Sequence, residues 1–332
     1  MHLRRRCNWR LDRPQLGAFA GARAGLVLMA TPTGARAISA GAFATLLLIA
    51  LMMGANHVAA RIAFNNGLDV ATAVLFRSVA TALVVSGLVL AQHVPLQATT
   101  RQKRFLFVIG LLIGVQSLCL YSAVARLPVA LALLAFNTYP LWTALWDRLL
   151  YQRRPERAML QAMPVILVGL ALALDVVGAA SGLGAAAQWT RMGAGVAFAL
   201  AAAATFGLAL VLTQHETSGL DGRLRTASTM LLAGLVALAT VGAQGGVHLP
   251  TATAGWWGLA ALTLLYGTAF TIMFTLLPRL GVAGNSAIMN VEPVFALVLA
   301  WMILGQAIAP VQVAGALLVV GAVMVLGLRK NK

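Results

Sequence analysis

Glu292 is the residue of this 332-residue sequence best suited to proton or cation chemistry, because it lies inside a long apolar stretch. It is the only one of eight acidic residues near the centre of such a stretch, since Asp147 and Asp175 lie at the ends of theirs. A carboxyl group in an apolar phase needs a partner, water or a proton. Two interpretations remain open: Glu292 binds a proton or a cationic solute group, or it is a structural hydrogen-bonding residue beside Pro293.

Two Asn-x-x-Pro segments form a second set of candidates, Asn137 with Pro140 and Asn290 with Pro293. A proline inside a helix removes one backbone donor and displaces the carbonyl four residues earlier. We therefore predict helix kinks at Pro140 and Pro293. Asn137 and Asn290 either contact a bound solute or form hydrogen bonds between helices.

Basic side chains cluster near one end of the first two apolar stretches. His57 and Arg61 are four residues apart and share a helix face, and Arg77 follows near the start of the next stretch. The cluster predicts a vestibule site for an anionic group. The alternative is that the arginines reach lipid headgroups and His57 is a satisfied polar residue.

Aromatic and amide side chains supply the remaining candidates. Tyr139, Trp142 and Trp146 recur at three- and four-residue intervals and make one helical stripe, which either clasps a cationic or aromatic solute or packs against neighbouring helices and lipid. Gln116 and Tyr266 add hydrogen-bonding capacity inside two other apolar stretches.

Apolar helices must position these side chains. Hydrophobic residues make up 61% of the chain and charged residues only 10%, which is too apolar for a soluble domain. A helical membrane span needs about 20 apolar residues. We predict ten spans at 42–62, 70–91, 104–124, 127–147, 158–176, 192–212, 226–244, 254–276, 282–304 and 309–328.

Positive charge predicts the orientation of these spans. The net charge is +16, and 20 of the 24 Lys and Arg residues fall on one side of the predicted topology. The positive-inside rule then places both termini in the cytoplasm. The basic residues occupy short loops and tails without interleaved aromatics, which argues against nucleic acid as a partner. We expect membrane lipid to surround the predicted spans.

The chain divides around these spans into five parts. We predict a cytoplasmic arm at 1–38, a five-helix repeat at 39–176, a linker at 177–190, a second five-helix repeat at 191–328 and a cytoplasmic tail at 329–332. Three interpretations of the arm remain open: an amphiphilic tail, an over-long start with Met29 as the true first residue, or a cleavable signal peptide.

An internal repeat relates the two five-helix parts. At an offset of 153 residues, six identities fall within fifteen positions. They include Arg126 with Arg279 and the Asn and Pro of the two Asn-x-x-Pro segments. The matched spans are five apart, an odd number, so the copies cross the membrane in opposite directions. The predicted fold is an all-α integral membrane protein of ten transmembrane helices in two inverted-topology five-helix repeats.

The sequence resembles the EamA-type branch of the drug/metabolite transporter superfamily over about residues 40–328. The resemblance rests on the Arg-Leu span starts, the Glu292-Pro293 pair and the Leu304-Gly305-Gln306 exit before Pro310. It implies a ten-span bacterial inner-membrane protein that carries small metabolites, often outward, without ATP. The sequence departs from the family's pattern at two positions. The first copy has Tyr139 where the second copy has Glu292, and Gln306 stands where the family usually has an acidic residue after the Leu-Gly pair.

Enzyme signatures are absent from the sequence. It has no phosphate-binding Gly-rich loop ending in Lys and Ser or Thr, and no His-Glu-x-x-His or Cys-x-x-Cys motif. We predict no enzyme, no cofactor and no metal.

The favoured function is secondary transport of a small metabolite, amino acid or drug-like molecule, and coupling to protons is one option. The alternative is a non-transporting membrane subunit or lipid-handling scaffold. The oligomeric state stays open, a homodimer included.

Overall fold

The computed structural model of the chain describes residues 40–153, 157–178, 182, 184–275, 291–306 and 309–329. These residues form eleven helices and no strand. The helices are α1 (Ala40–Asn65), α2 (Val70–Ala91), α3 (Thr100–Arg126), α4 (Val129–Phe136), α5 (Tyr139–Tyr151), α6 (Arg157–Ala173), α7 (Ala185–Glu216), α8 (Gly222–Ala243), α9 (Thr253–Thr275), α10 (Glu292–Leu304) and α11 (Pro310–Arg329).

The apolar composition explains the helical architecture, because a chain in lipid has to satisfy its backbone hydrogen bonds within each segment. Seven described helical segments are long and apolar enough to cross a membrane, with α4 and α5 counted as one segment. Three shorter apolar helices accompany them, Leu160–Ala173, Glu292–Leu304 and Pro310–Val325. The predicted all-α class is confirmed for the described residues, whereas the predicted total of ten spans is not.

The fourth predicted span, 127–147, contains two helices. α4 ends at Phe136, the chain turns through Asn137 and Thr138, and α5 begins at Tyr139. Pro140 lies in the first turn of α5, where its missing N–H removes no intrahelical hydrogen bond. The proline is therefore compatible with a new helix start rather than with a continuous helix.

α7 begins earlier than the sequence predicted. It starts at Ala185, inside the predicted linker 177–190, and runs for 32 residues. Gly184 precedes it with φ 76°, a conformation that suits glycine. Three alanines then open the helix, and alanine has the highest helix propensity.

The described helices follow the 153-residue offset closely. It relates the first residues of α3 and α9, Thr100 and Thr253, and those of α5 and α10, Tyr139 and Glu292. It also relates the starts of α6 and α11. Apart from the early start of α7, the repeat therefore extends from sequence identities to the positions at which helices begin.

Contacts between helices occur in exchanged pairs. α1 packs on α9 and on α10, while its repeat counterpart α7 packs on α3 and on α5. α2 packs on α9, and its counterpart α8 packs on α3. α2 and α8 pack on each other, as do α6 and α11. Such a pattern is expected of two similar halves related by a two-fold exchange.

The pair α2 and α8 runs antiparallel. Asp69, the N-cap of α2, accepts a 2.7 Å hydrogen bond from Nε2 of Gln244, the C-cap of α8. At the opposite end Arg223, in the first turn of α8, donates to Oε1 of Gln92, the C-cap of α2. The beginning of each helix thus meets the end of its repeat counterpart.

Candidate functional site

The site begins where α1 crosses the first turn of α10. Glu292 is the first residue of α10 and Pro293 the second, a position that tolerates proline and favours a carboxylate near the helix N-terminus. A Cβ added at Gly54 of α1 would lie 3.0 Å from the nitrogen of Ala296 and 3.1 Å from the carbonyl oxygen of Glu292. Glycine therefore lets the two backbones approach closely.

His57 lies beside Glu292 because of this approach. It is three residues after Gly54 and so on the same face of α1. Its Nε2 atom is 3.3 Å from Oε1 of Glu292, and the two side chains are 6% and 26% exposed. An imidazole and a carboxylate at this distance interact directly, which makes the pair the main ionisable element of the site.

Tyr121 of α3 packs against this pair from a third helix. Its side chain is fully buried, and its hydroxyl donates a 3.1 Å hydrogen bond to Oδ1 of Asn56. The ring meets His57 edge-on at a centroid distance of 5.6 Å. α1 and α3 are thereby joined through Asn56, His57 and Tyr121.

Arg77 of α2 extends the site to α9. It is only 3% exposed, and its guanidinium lies 4.7 Å from the centroid of the Tyr121 ring and 4.1 Å from that of Tyr266. Its Nη2 donates a 2.8 Å hydrogen bond to Oγ of Ser117. Ser117 in turn donates to Oε1 of Gln116 at 3.3 Å.

These eight side chains come from α1, α2, α3, α9 and α10. We call them the central polar cluster: Asn56, His57, Arg77, Gln116, Ser117, Tyr121, Tyr266 and Glu292.

A second junction, where α7 crosses the first turn of α5, is aromatic. A Cβ added at Gly207 would lie 2.9 Å from the nitrogen of Thr143 and 2.9 Å from Cβ of Trp142. The Tyr139 ring packs against Phe206 at 5.2 Å and against Phe136 at 5.7 Å.

Asn137 lies at the turn before this junction. Its side-chain Nδ2 donates a 3.0 Å bond to the carbonyl of Leu133, four residues earlier. The described contact is therefore local to α4.

The predicted site residues divide between the two places. The central polar cluster includes His57, Gln116, Tyr266 and Glu292. The second junction includes Asn137, Tyr139, Trp142 and Pro140. Asn290 lies outside the described residues. The two places are connected through the packing of α10, which carries Glu292, on α4, which leads into the second junction.

Sequence reasoning missed the two glycines that set the helix crossings. Gly54 and Gly207 are themselves 153 residues apart, so the repeat offset could have identified them.

Sequence reasoning also left open whether the side chains of Arg61 and Arg77 reach lipid. Arg77 is buried among aromatic rings, and Nη1 of Arg61 donates to the carbonyls of Val124 and Leu127 at 2.8 and 3.3 Å.

An ionic network joins the start of α3 to the ends of α5 and α7. Arg101 makes two hydrogen bonds to Glu216, at 2.7 and 3.0 Å. Tyr151 donates to Glu216 at 2.7 Å and stacks on His215, whose Nε2 lies 2.8 Å from Oδ1 of Asp147.

Metal chemistry finds no support in the described part of the chain, where no group of three His, Cys, Asp or Glu side chains could hold an ion. The cleft between α4, α10 and α11 is lined mainly by aliphatic side chains such as Leu131, Leu134 and Leu297. The ionisable side chains of the central polar cluster lie outside this cleft.

Comparisons with known proteins agree with this architecture. The sequence model of the EamA-like transporter family matches residues 40–174 and 193–328. A solved structure described only as "Crystal structure of protein" is similar with a TM-score of 0.57 at 18% identity, covering 88% of this chain and 99% of that chain. That likeness concerns the fold alone. No curated protein matches the chain.

Proposed function

Because the chain belongs to the EamA-like transporter family, we propose that it is a secondary transporter that moves a small metabolite, amino acid or drug-like molecule by alternating access. The family and the apolar helices make it a multi-pass membrane protein with two repeats. The proposal adds ten spans, an inverted relation between the repeats and coupling to protons.

The antiparallel packing of α2 on α8 supports the inverted relation. In an inverted repeat, equivalent helices cross the membrane in opposite directions about a pseudo-two-fold axis in the membrane plane. The exchanged helix contacts support the same axis. Two states of similar energy, open to opposite sides, then follow from exchanging the roles of the halves.

Symmetry also supports a mid-membrane location for Glu292. Tyr139 and Glu292 are equivalent under the 153-residue offset. Each begins the helix, α5 or α10, that packs on the first helix of the opposite repeat. These exchanged crossings lie around the axis that relates the two repeats. An axis in the membrane plane puts both at the depth where substrate sites of such transporters lie.

The His57–Glu292 pair is the observation that carries the proposal. Buried ionisable groups inside a membrane are costly and mark ion or substrate pathways. This pair connects α1 of the first repeat to α10 of the second, so protonation changes the interaction between the halves. We propose that it takes up the coupling proton, while Asn137 and Trp142 line the adjoining aromatic side of the pathway.

The charge distribution supports the remaining parts of the proposal. With 20 of the 24 basic residues on one side, the proposal places both termini in the cytoplasm. The family resemblance implies that the membrane is the bacterial inner membrane. Export is the direction that the family resemblance favours.

Reconstituted vesicles test the function. A thermal-shift screen against metabolites identifies a ligand, because binding to the folded state raises its apparent stability. Uptake of that solute is then measured with and without a pH gradient, for the wild type, Glu292→Gln and the control Asp69→Asn, which removes an acidic residue outside the spans. We expect saturable, gradient-dependent transport that Glu292→Gln loses and Asp69→Asn keeps.

Two results would contradict the proposal. Absence of saturable transport of any binding solute would favour a non-transporting membrane subunit. Transport by Glu292→Gln with unchanged rate and unchanged pH dependence would remove the pair from coupling.

A further inference from the structure

Buried polar atoms without a hydrogen-bond partner are concentrated in one region of the described chain. They are Asn56 Nδ2, His57 Nδ1, Arg61 Nε, Arg77 Nε and Ser78 Oγ. All five belong to α1 or α2, and three are N–H groups that can only donate. Folded proteins leave few such atoms unpaired, so the region lacks acceptors.

Arg77 is the residue of this region whose buried positive charge has no anionic partner among the described residues. The ion pairs of the described residues involve His57, Arg101, His215, Arg223 and His248, and none of them involves Arg77. The rings of Tyr121 and Tyr266 and the hydroxyl of Ser117 contact its guanidinium, but these groups are neutral. Two rings and one hydroxyl leave a buried guanidinium short of hydrogen-bond acceptors, and an anion balances its charge best.

Neither lipid headgroups nor the backbone of the described residues meets this need at Arg77. Its 3% exposure separates it from headgroups, since an arginine that reaches the interface keeps its guanidinium exposed. Arg61 differs, because its guanidinium is held by the carbonyls of Val124 and Leu127.

We infer that Arg77 binds the carboxylate of the transported solute, which makes the substrate a small organic acid or a zwitterion. The guanidinium is planar and always charged, and its free Nε–H edge suits a carboxylate oxygen. Asn56 Nδ2 is a further donor in the same cluster. The inference rests on the proposed transport function and names the chemical class of its substrate.

The distribution of charge in the central polar cluster fits this class. Arg77 lies on α2 and Glu292 on α10, with His57 and Tyr121 between them in a chain of contacts. An acid held at Arg77 leaves the His57–Glu292 pair free to exchange its proton. A neutral amide or alcohol would leave the buried cation without a counter-charge.

Thermal stability of the purified full-length protein in a maltoside detergent tests the inference. The probes are matched triples that share a carbon skeleton and differ in the end group: an acid, its primary amide and its alcohol. The skeletons are those of propanoate, benzoate, succinate and leucine, and inorganic phosphate tests a second oxyanion. The variants are Arg77→Gln, Arg77→Lys and the control Arg104→Gln, which removes an exposed charge from α3.

We expect at least one acid to raise the melting temperature by about 3 °C or more, while its amide and alcohol do not. Arg77→Gln should abolish that shift, Arg77→Lys should weaken binding by about tenfold because it loses the planar fork, and Arg104→Gln should keep it. If Arg77→Gln does not fold, Arg77→Lys carries the comparison.

Three results would overturn the inference: no shift with any acid, equal shifts with an acid and its amide, or an undiminished shift in the Arg77 variants. A fourth such result is a shift with phosphate but not with any carboxylate, which would assign Arg77 to a phosphate group such as that of a lipid. Its failure is distinct from that of the transport proposal, which is measured in vesicles as solute flux.

Discussion

The two junctions between the repeats share a backbone geometry and differ in chemistry. At one, Gly54 packs against the backbone of Ala296, and at the other, Gly207 packs against that of Thr143. Both the glycines and their partners are 153 residues apart. Each repeat therefore presents the same small residue to the same turn of the opposite repeat.

The side chains around these glycines are unlike. His57 faces Glu292 at the first junction, whereas Leu210 and Tyr139 occupy the equivalent positions at the second. Under the proposed mechanism, the shared helix crossings allow two states of similar energy, and the single ionisable pair provides one proton site for the whole transport cycle.

A substitution that makes the two junctions chemically alike should have the largest effect on transport. Glu292→Tyr places the first repeat's residue in the second repeat and removes the only carboxylate of the pair. We expect pH-gradient-dependent transport in vesicles to fall by about tenfold or more, equivalent to about 1.4 kcal/mol or more in the transport barrier.

The matched variant is Tyr139→Phe, which keeps the aromatic packing of the second junction and removes only its hydroxyl. We expect gradient dependence to persist. An equal loss in both variants would argue that the two junctions contribute alike and that the contrast between them has no functional meaning.

The shared geometry predicts a smaller and symmetric effect on stability. Gly54→Ala and Gly207→Ala each place a Cβ within 3.0 Å of a backbone nitrogen on the opposite helix. Overpacking of this kind costs about 1–3 kcal/mol, so thermal unfolding should occur at a lower temperature in both variants.

Gly87→Ala is the control, because a Cβ at Gly87 would meet no atom within 4 Å. Alanine there should stabilise α2 by up to about 1 kcal/mol. Destabilisation by only one of the two junction variants would break the symmetry between them.

The sequence alone predicts the repeat and the all-α fold class, but it does not predict the contact between His57 and Glu292. Arg, Asn and Pro are rare enough in apolar helices for a shared spacing to be visible. His57 and Glu292 are far apart in the chain, and nothing in their local pattern indicates that they meet. Their contact depends on the close packing at Gly54, one of 32 glycines.

The helix break before Tyr139 escaped prediction for a different reason. Apolar residues continue on both sides of Asn137 and Thr138, so hydropathy reads 127–147 as one span. Pro140 indicated a disturbance, but a proline in a kinked helix and a proline in the first turn of a new helix give the same local sequence.

The smallest expected effects come from the helix caps, where the repeats are again nearly equivalent. Burial alone would raise the pKa of Asp69, but hydrogen bonds from Thr72, Gln244 and His248 outweigh it and lower the pKa below its usual value. The pKa of Asp221 is also lowered, chiefly by its hydrogen bond with Arg223.

A lowered pKa in the folded state fixes the sign of the pH dependence. The ionised Asp69 stabilises the folded protein above the unfolded pKa of about 3.9, and this stabilisation is lost as pH falls through the lower folded value. Asparagine is an equally good N-cap, so Asp69→Asn removes the charge and keeps the cap. Near pH 7 the variant should lose about 0.3–1 kcal/mol, and the difference from wild type should vanish as pH falls below about 4. Thermal unfolding between pH 3 and 7, with Asp221→Asn measured in parallel, checks this, and a difference that grows on acidification would show that the charge at Asp69 opposes folding.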